Sequence, residues 1–147
     1  MSPLSFDPHA VIPAGLSIVQ LIPTSGRIVL VAKPTVATSA CPLCGQASSR
    51  VHSTYVRRLA DLPWQGKRVE LQVSARRFRC PVSTCRRVIF TERLPEIALP
   101  KARRTPRLTQ AQRDIGLALG GEPGSRLARR LAMPVSDDTL LRLIRTA

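Results

Sequence analysis

Aromatic side chains are scarce in this sequence of 147 residues, which has one tryptophan, one tyrosine and three phenylalanines. Single-stranded nucleic acids and RNA are bound largely by stacking bases on aromatic rings, so this scarcity argues against such a platform. Acidic residues are also few, nine against 23 basic ones. The sequence lacks both a long apolar run and the basic, apolar start of a signal peptide, which argues against membrane insertion and export.

The charge balance favours a polyanionic partner. The formal net charge is +14, and all but three of the basic residues are arginine, whose rigid fork suits phosphates and guanine edges. An anionic membrane is the competing polyanion, but the arginines are spread along the chain rather than along one face of a single amphipathic helix. Double-stranded DNA is therefore the expected partner, with no membrane contact and a cytoplasmic, nucleoid-associated location.

All four cysteines fall in two close pairs, Cys41 with Cys44 and Cys80 with Cys85. Four thiolates at this spacing can close a tetrahedral shell around zinc. A closed shell leaves no open coordination position, so we expect a structural zinc. The alternatives are four reduced core cysteines or two disulfides, and disulfides would need an oxidising compartment. His52 is a candidate substitute ligand.

The pattern along the chain predicts the α+β class, with a small zinc ribbon-like antiparallel β unit followed by a three-helix helix-turn-helix domain. The composition indicates a disordered N-terminus at residues 1–15, a β-hairpin plus zinc ribbon-like domain at 16–95, a basic linker at 96–104 and the helix-turn-helix domain at 105–147.

Alternating apolar residues predict four strands in the β unit. Residues 16–22 and 27–32 read as a hairpin, and residues 50–59 and 67–75 read as a second pair separated by a Pro- and Gly-containing loop at 61–66. The alternation breaks at residues 76–79, just before Cys80, which predicts a bulge or a change of register.

Helical spacing begins after the linker. Thr105 and Pro106 suit the N-cap and first position of a helix that Gly120 and Gly121 end. A short second helix is expected over residues 125–132, with Leu127 and Leu131 facing inward. Ser136 is a good N-cap for a last helix that starts at Asp137 and turns Leu140 inward. A plain helical cap on the zinc unit is the alternative interpretation of these stripes.

Candidate DNA contacts are the arginines that bracket the second cysteine pair, those of the linker, and polar residues on the outer faces of the last two helices. They are Arg76, Arg77, Arg79, Arg86, Arg87, Arg103, Arg104, Arg126, Arg129, Arg130, Thr139, Arg142 and Arg145.

Several stretches together resemble a known family. They are Cys41-Pro-Leu-Cys-Gly45, Arg50-Val-His-Ser-Thr-Tyr55-Val-Arg-Arg-Leu-Ala-Asp61-Leu-Pro-Trp-Gln-Gly66, Arg76-Arg-Phe-Arg-Cys80, Cys85-Arg-Arg, Phe90-Thr-Glu-Arg-Leu-Pro95, Arg126-Leu-Ala-Arg-Arg-Leu131 and Pro134-Val-Ser-Asp-Asp-Thr-Leu-Leu-Arg-Leu-Ile-Arg145. This combination resembles the N-terminal region of bacterial insertion-sequence transposases of the ISL-three family, over roughly residues 15 to 147.

The resemblance implies a division of labour. In that family a zinc unit and a helix-turn-helix are thought to recognise the element's terminal inverted repeats, and a downstream RNase H-like domain carries an Asp-Asp-Glu triad for strand cutting and transfer. By position, the four cysteines would be the ligands and the last helix the reader of the DNA.

This sequence departs from the family pattern because it ends at Ala147, just after the predicted helix-turn-helix. We therefore expect a truncated transposase that is not an enzyme by itself. Homodimerisation or pairing with a full-length transposase is open. So are two other roles, a regulator that competes with or dimerises with an intact transposase, and a non-functional remnant.

Overall fold

The computed structural model describes residues 12–146, in which seven strands precede three helices. The strands are β1 (Leu16–Pro23), β2 (Arg27–Pro34), β3 (Ser39–Ala40), β4 (Ala47–Ser48), β5 (Val51–Trp64), β6 (Lys67–Arg79) and β7 (Ile89–Thr91), and the helices are α1 (Pro106–Leu119), α2 (Gly121–Arg130) and α3 (Asp137–Arg145). The predicted α+β class is confirmed. Residues 1–11 of the predicted disordered N-terminus lie outside the described part, and Ile12 is buried in the core.

The main sheet runs in the order β1-β2-β6-β5, and β7 pairs with β6. Antiparallel pairing joins β1 to β2, β5 to β6 and β6 to β7, whereas β2 pairs with β6 in parallel. The expectation of an antiparallel unit is therefore wrong for β2 with β6. Alternation in the sequence shows which residues share a face of a strand, but it carries no information about the neighbouring strand.

The loop predicted at residues 61–66 is wrong, because β5 continues to Trp64 and only Gln65 and Gly66 form the turn. Both turn residues have positive φ, 47° and 73°, as a tight hairpin turn of type I′ requires. Pro63 does not end the strand, since β5 is at the edge of the sheet and its register shifts between Asp61 and Trp64. Proline is tolerated at edge strands and bulges.

The predicted change of register near the second cysteine pair is confirmed. Val51 pairs with Phe78 and Ser53 pairs with Arg77, so β5 carries an extra residue, His52, opposite continuous β6. Beyond this point the buried residue of β6 is Phe78, which belongs to a different apolar cluster from Val69, Leu71 and Val73. Phe78 is fully buried and packs with Phe90 of β7 and with Cys41, which gives the cysteine pairs a small apolar base of their own.

A separate and larger core covers one face of the sheet. Its buried members are Ile12, Leu16, Leu30, Ala32, Leu59, Val69, Leu71, Val73, Ile97 and Ala98. The segment predicted as a basic linker, residues 96–104, thus contributes two residues to the core of the sheet. Arg57 fastens the same segment, because its Nη2 donates to the carbonyl oxygens of Leu99 and Ala102. The segment packs on the β unit and leads directly into α1.

The first helix forms as the sequence predicts. Thr105 is the N-cap, with its hydroxyl 3.4 Å from the backbone nitrogen of Leu108, and Pro106 occupies the first turn. Gly120 ends α1 with a positive φ of 78°, a conformation that glycine adopts without the steric cost of a Cβ atom.

The inward face of α2 differs from the prediction. The helix starts at Gly121 rather than at Ser125, and Leu127 and Leu131 are 37% and 45% exposed. Small residues face the neighbouring helices instead, and a Cβ atom on Gly124 would lie 3.0 Å from Leu140 Cδ1. The close approach that glycine permits therefore determines which face of α2 packs inward. The spacing of the leucines does not indicate this face.

The last helix has the predicted start and core residue. The Ser136 side chain accepts a hydrogen bond from the backbone nitrogen of Thr139 at 3.3 Å, and Leu140 is fully buried. All three helices pack on one another. None of the helices between Ile12 and Thr146 has the length and apolar character that a membrane crossing requires.

Candidate metal centre and nucleic-acid interface

Two short turns bring the cysteine pairs together. The first lies between β3 and β4, where Gly45 takes a positive φ of 75° and donates its backbone N–H to the Cys41 carbonyl at 2.8 Å. The second lies between β6 and β7, and the backbone nitrogen of Cys80 donates to the carbonyl of Val88 at 2.9 Å. The Ser48 hydroxyl links the two turns, because it donates to the Arg79 carbonyl at 2.5 Å.

The four sulfur atoms form a compact cluster that fits zinc. All four Sγ atoms lie within 4.8 Å of one another. Cys41 and Cys85 are 3.9 Å apart at sulfur, and Cys44 and Cys80 are 3.6 Å apart. A regular tetrahedron with Zn–S bonds of about 2.3 Å has sulfur–sulfur edges of about 3.8 Å. The distances are far longer than the S–S bond of about 2 Å in a disulfide, and all four cysteines are free.

The surroundings of the sulfurs favour a bound cation. The backbone N–H of Cys44, aimed at the Cys41 sulfur, is the main cause that lowers the pKa of Cys41 to about 7. Val82 offers its N–H to Cys80 in the same way, but loss of hydration and the neighbouring thiols outweigh it and raise the pKa of Cys80 to about 12. Four thiolates this close repel one another, and a dication removes that obstacle by coordinating them.

The prediction of a structural metal site at Cys41, Cys44, Cys80 and Cys85 is confirmed, since the four side chains cluster to hold a metal ion. His52 lies outside this cluster. It is exposed, and its Nδ1 is 3.1 Å from the hydroxyl of Ser53.

The structure divides the candidate DNA contacts near the second cysteine pair. Arg76 is largely buried and its guanidinium is already engaged, by the carboxylate of Glu92 and by the carbonyl of Val36 at 2.6 Å. Arg77 stacks over the ring of Tyr55, 4.4 Å from its centroid. The remaining three residues of this group, Arg79, Arg86 and Arg87, are exposed around the second turn. Arg76 therefore holds the fold, and the exposed three can reach a ligand.

The candidates on the helical side are also unequal. Arg104 donates a hydrogen bond to Gln112. Arg126 and Glu122 form an exposed ion pair, with Nη1 and Oε1 2.7 Å apart. The hydroxyl of Thr139 accepts a hydrogen bond from Ser136. The other members are exposed side chains that take part in no ion pair within residues 12–146, and they are Arg103, Arg129, Arg130, Arg142 and Arg145.

The sequence-based prediction does not include a group of buried contacts between the sheet and the helices, centred on Asp61, which we call the clasp. The side chain of Asp61, near the end of β5, is fully buried and accepts from the hydroxyl of Thr105 at 2.7 Å and from Nε of Arg107 at 2.8 Å. Beside it, Ala60 exchanges backbone hydrogen bonds with Arg103 and Thr105. The sequence offers one signal, because Asp61 has the same parity as Leu59 and therefore shares the inward face of β5.

Comparison with known proteins supports the metal centre. Residues 37–85 match the family model described as zinc-finger of transposase IS204/IS1001/IS1096/IS1165, and this range contains all four cysteines and the whole of β5 and β6. No match was found among curated proteins or among solved structures. The matched residues coincide with the cysteine cluster and with the strands that carry it. Residues 37–85 are therefore a zinc ribbon domain of the kind found in this family of insertion-sequence transposases.

Proposed function

We propose that this chain is a zinc-stabilised DNA-binding module of an insertion-sequence transposase, which recognises the terminal inverted repeats of its element. The match of residues 37–85 to a transposase zinc finger carries the proposal. The net charge of +14 supports it, because such an excess of arginine is neutralised by the phosphates of a nucleic acid.

We further propose that α2, the connection at residues 131–136 and α3 act as a helix-turn-helix with α3 as the reading helix. Two features support this role. Arg142 and Arg145 are exposed on α3, and arginine is the side chain that most often reads guanine in the major groove. Arg129 and Arg130 are exposed at the end of α2, where they can contact the DNA backbone.

A binding experiment tests the proposal. The zinc-loaded chain is titrated with duplexes taken from the DNA that flanks its coding sequence and with random duplex of the same length. We expect preference for a flanking duplex, and affinity that falls with salt at a log–log slope of about −0.9 for each phosphate contacted. Equal affinity for all duplexes would contradict inverted-repeat recognition.

Two variants separate reading from backbone contact. Arg142→Ala should lower the preference for the flanking duplex, at a cost of about 1–3 kcal/mol for the preferred sequence. Arg86→Ala, beside the metal centre, should weaken binding to all duplexes alike. The reverse pattern would contradict the assignment of α3 as the reader.

The proposed module binds DNA and leaves strand cutting to a catalytic domain. Incubating the purified chain with inverted-repeat duplex and Mg²⁺ or Mn²⁺ tests this part. Strand transfer by the chain alone would overturn it.

A further inference from the structure

A cleft with a volume of about 530 Å³ lies where the sheet meets the helices. One wall is the turn between β1 and β2 with the adjoining parts of β5 and β6, and the other includes α1 and the connection between α2 and α3. Four arginines line the cleft, Arg27, Arg58, Arg68 and Arg103. The first three lie outside the set that the sequence singled out.

The two carboxylates in the walls are already engaged. Asp61 is held by Thr105 and Arg107, as described above. Glu70 accepts from Nη1 of Arg27 at 2.9 Å and lies 3.8 Å from Nε of Arg58. These contacts leave no carboxylate of the lining to balance the remaining arginines.

Arg68 and Arg103 carry the unbalanced charge. Both are exposed, and neither side chain forms an ion pair or a hydrogen bond to another part of residues 12–146. Arg68 comes from the sheet, whereas Arg103 comes from the segment that leads into α1. The cleft therefore presents positive charge from both units of the molecule to a ligand between them.

A neighbouring network fixes the helical wall. Gln112 is 2% exposed, and its amide nitrogen donates to the carbonyl of Met133 at 3.2 Å. Its amide oxygen accepts from Nη1 of Arg104 at 2.9 Å. Burial, and then the charge of nearby Arg142 on α3, lower the pKa of Arg104. Arg104, held against Gln112 of the cleft wall, therefore adds positive charge next to the site.

We propose that this cleft binds the phosphodiester backbone of double-stranded DNA, next to the groove that α3 enters, with Arg68 and Arg103 as the phosphate contacts. The inference rests on the proposed function and adds a contact site that spans the sheet and the helices. Backbone contacts fix the register of a protein on the duplex. A phosphate held here would therefore set the position of α3 relative to the zinc ribbon domain.

The test compares two double variants of the full, zinc-loaded chain. Arg68→Ala with Arg103→Ala removes the proposed contacts. Lys33→Ala with Arg50→Ala removes the same charge from two exposed side chains that do not line the cleft, one in β2 and one directly before β5. Affinity for random duplex is measured at several salt concentrations, and melting curves verify that each variant is folded.

We expect the magnitude of the log–log salt slope to fall by about 1 for each phosphate released in the cleft variant, and to change much less in the control. Equal slopes for the two variants would refute the cleft while leaving the proposed function in place. Absence of DNA binding by the unaltered chain would overturn both.

A third arm distinguishes DNA from a free anion. Inorganic phosphate replaces DNA in a calorimetric titration. Saturable phosphate binding that the cleft variant loses, with unchanged DNA binding, would assign the cleft to a small anion and overturn the inference.

Discussion

Around the metal centre, the buried apolar cluster consists of Cys41, Phe78 and Phe90, whereas the helices bury polar side chains beside Leu108 and Leu140. Three apolar residues are too few to hold two turns of irregular chain, and coordination supplies what packing does not. The unit formed by α1, α2 and α3 contains no cysteine cluster of this kind. It depends instead on buried hydrogen bonds that connect its elements to one another and to the sheet.

The comparison shows two ways to stabilise a small unit. At the metal centre one coordinated ion takes the place of a hydrophobic core. Local stability therefore depends on the concentration of the metal and on whether the thiols are reduced and deprotonated. In the helical unit, Gln112, Thr105 and Ser125 are buried with their hydrogen-bonding groups satisfied, and Ser125 donates to the carbonyl of Val135 at 2.7 Å. Satisfied buried polar groups specify one arrangement, and loss of a partner is costly.

Removal of the metal should have the largest effect on stability, and this effect should be confined to the region around the metal centre. Cys44→Ser should abolish stoichiometric zinc binding and unfold both cysteine turns, because zinc contributes about 10 kcal/mol to folding in small metal domains. Metal analysis and melting curves with and without a chelator measure the change.

The matched control for Cys44→Ser is Ser83→Ala, an exposed side chain in the second turn that provides no ligand. It should keep full zinc content. A metal-free protein with an unchanged melting curve would show that the turns are held by packing, and the contrast between the two regions would then fail.

Loss of the clasp should rank second. Asp61→Ala removes the carboxylate that binds Thr105 and Arg107, and breaking a buried ion pair on one side costs about 3 kcal/mol. Urea denaturation measures the free energy of unfolding, with Glu96→Ala, an exposed carboxylate, as the control. Equal stability of the two variants would mean that the helical unit is not fastened through Asp61. Zinc content should stay unchanged in both.

The smallest effect is local to one helix. Ser136→Ala removes the side chain that caps α3, and the loss of such a cap costs about 1 kcal/mol. Thermal denaturation provides the measurement. The control is Ser49→Ala, where an exposed serine precedes β5. If Ser136→Ala matches this control, the capping bond does not stabilise α3.

Residues whose role depends on local spacing could be predicted from the sequence. Examples are the cysteine pairs, the Thr105 and Ser136 caps and the alternation in β6. In each case the residues that indicate the local structure lie within a few positions of one another. Roles that depend on a distant partner could not. Arg76 looks like its exposed neighbours in the sequence, yet Glu92, sixteen residues away, draws it into the interior.

The same distinction explains the error in α2. Leu127 and Leu131 form an apolar stripe that helical spacing assigns to the interior, but Gly124 lets α3 approach on another face. Which face wins depends on contacts between helices, and these are not encoded in the period of one helix.

The parallel pairing of β2 with β6 has a consequence for the order of folding. The hairpin of β5 and β6 closes through a tight turn and can form early, whereas β2 must find β6 across the intervening chain, at a cost in loop-closure entropy. Coordination shortens that search, because it joins Cys41, which follows β2 after residues 35–38 and the short strand β3, to Cys80, which directly follows β6. Zinc binding would thus shorten the loop that must close before β2 pairs with β6, and it would accelerate formation of the complete sheet.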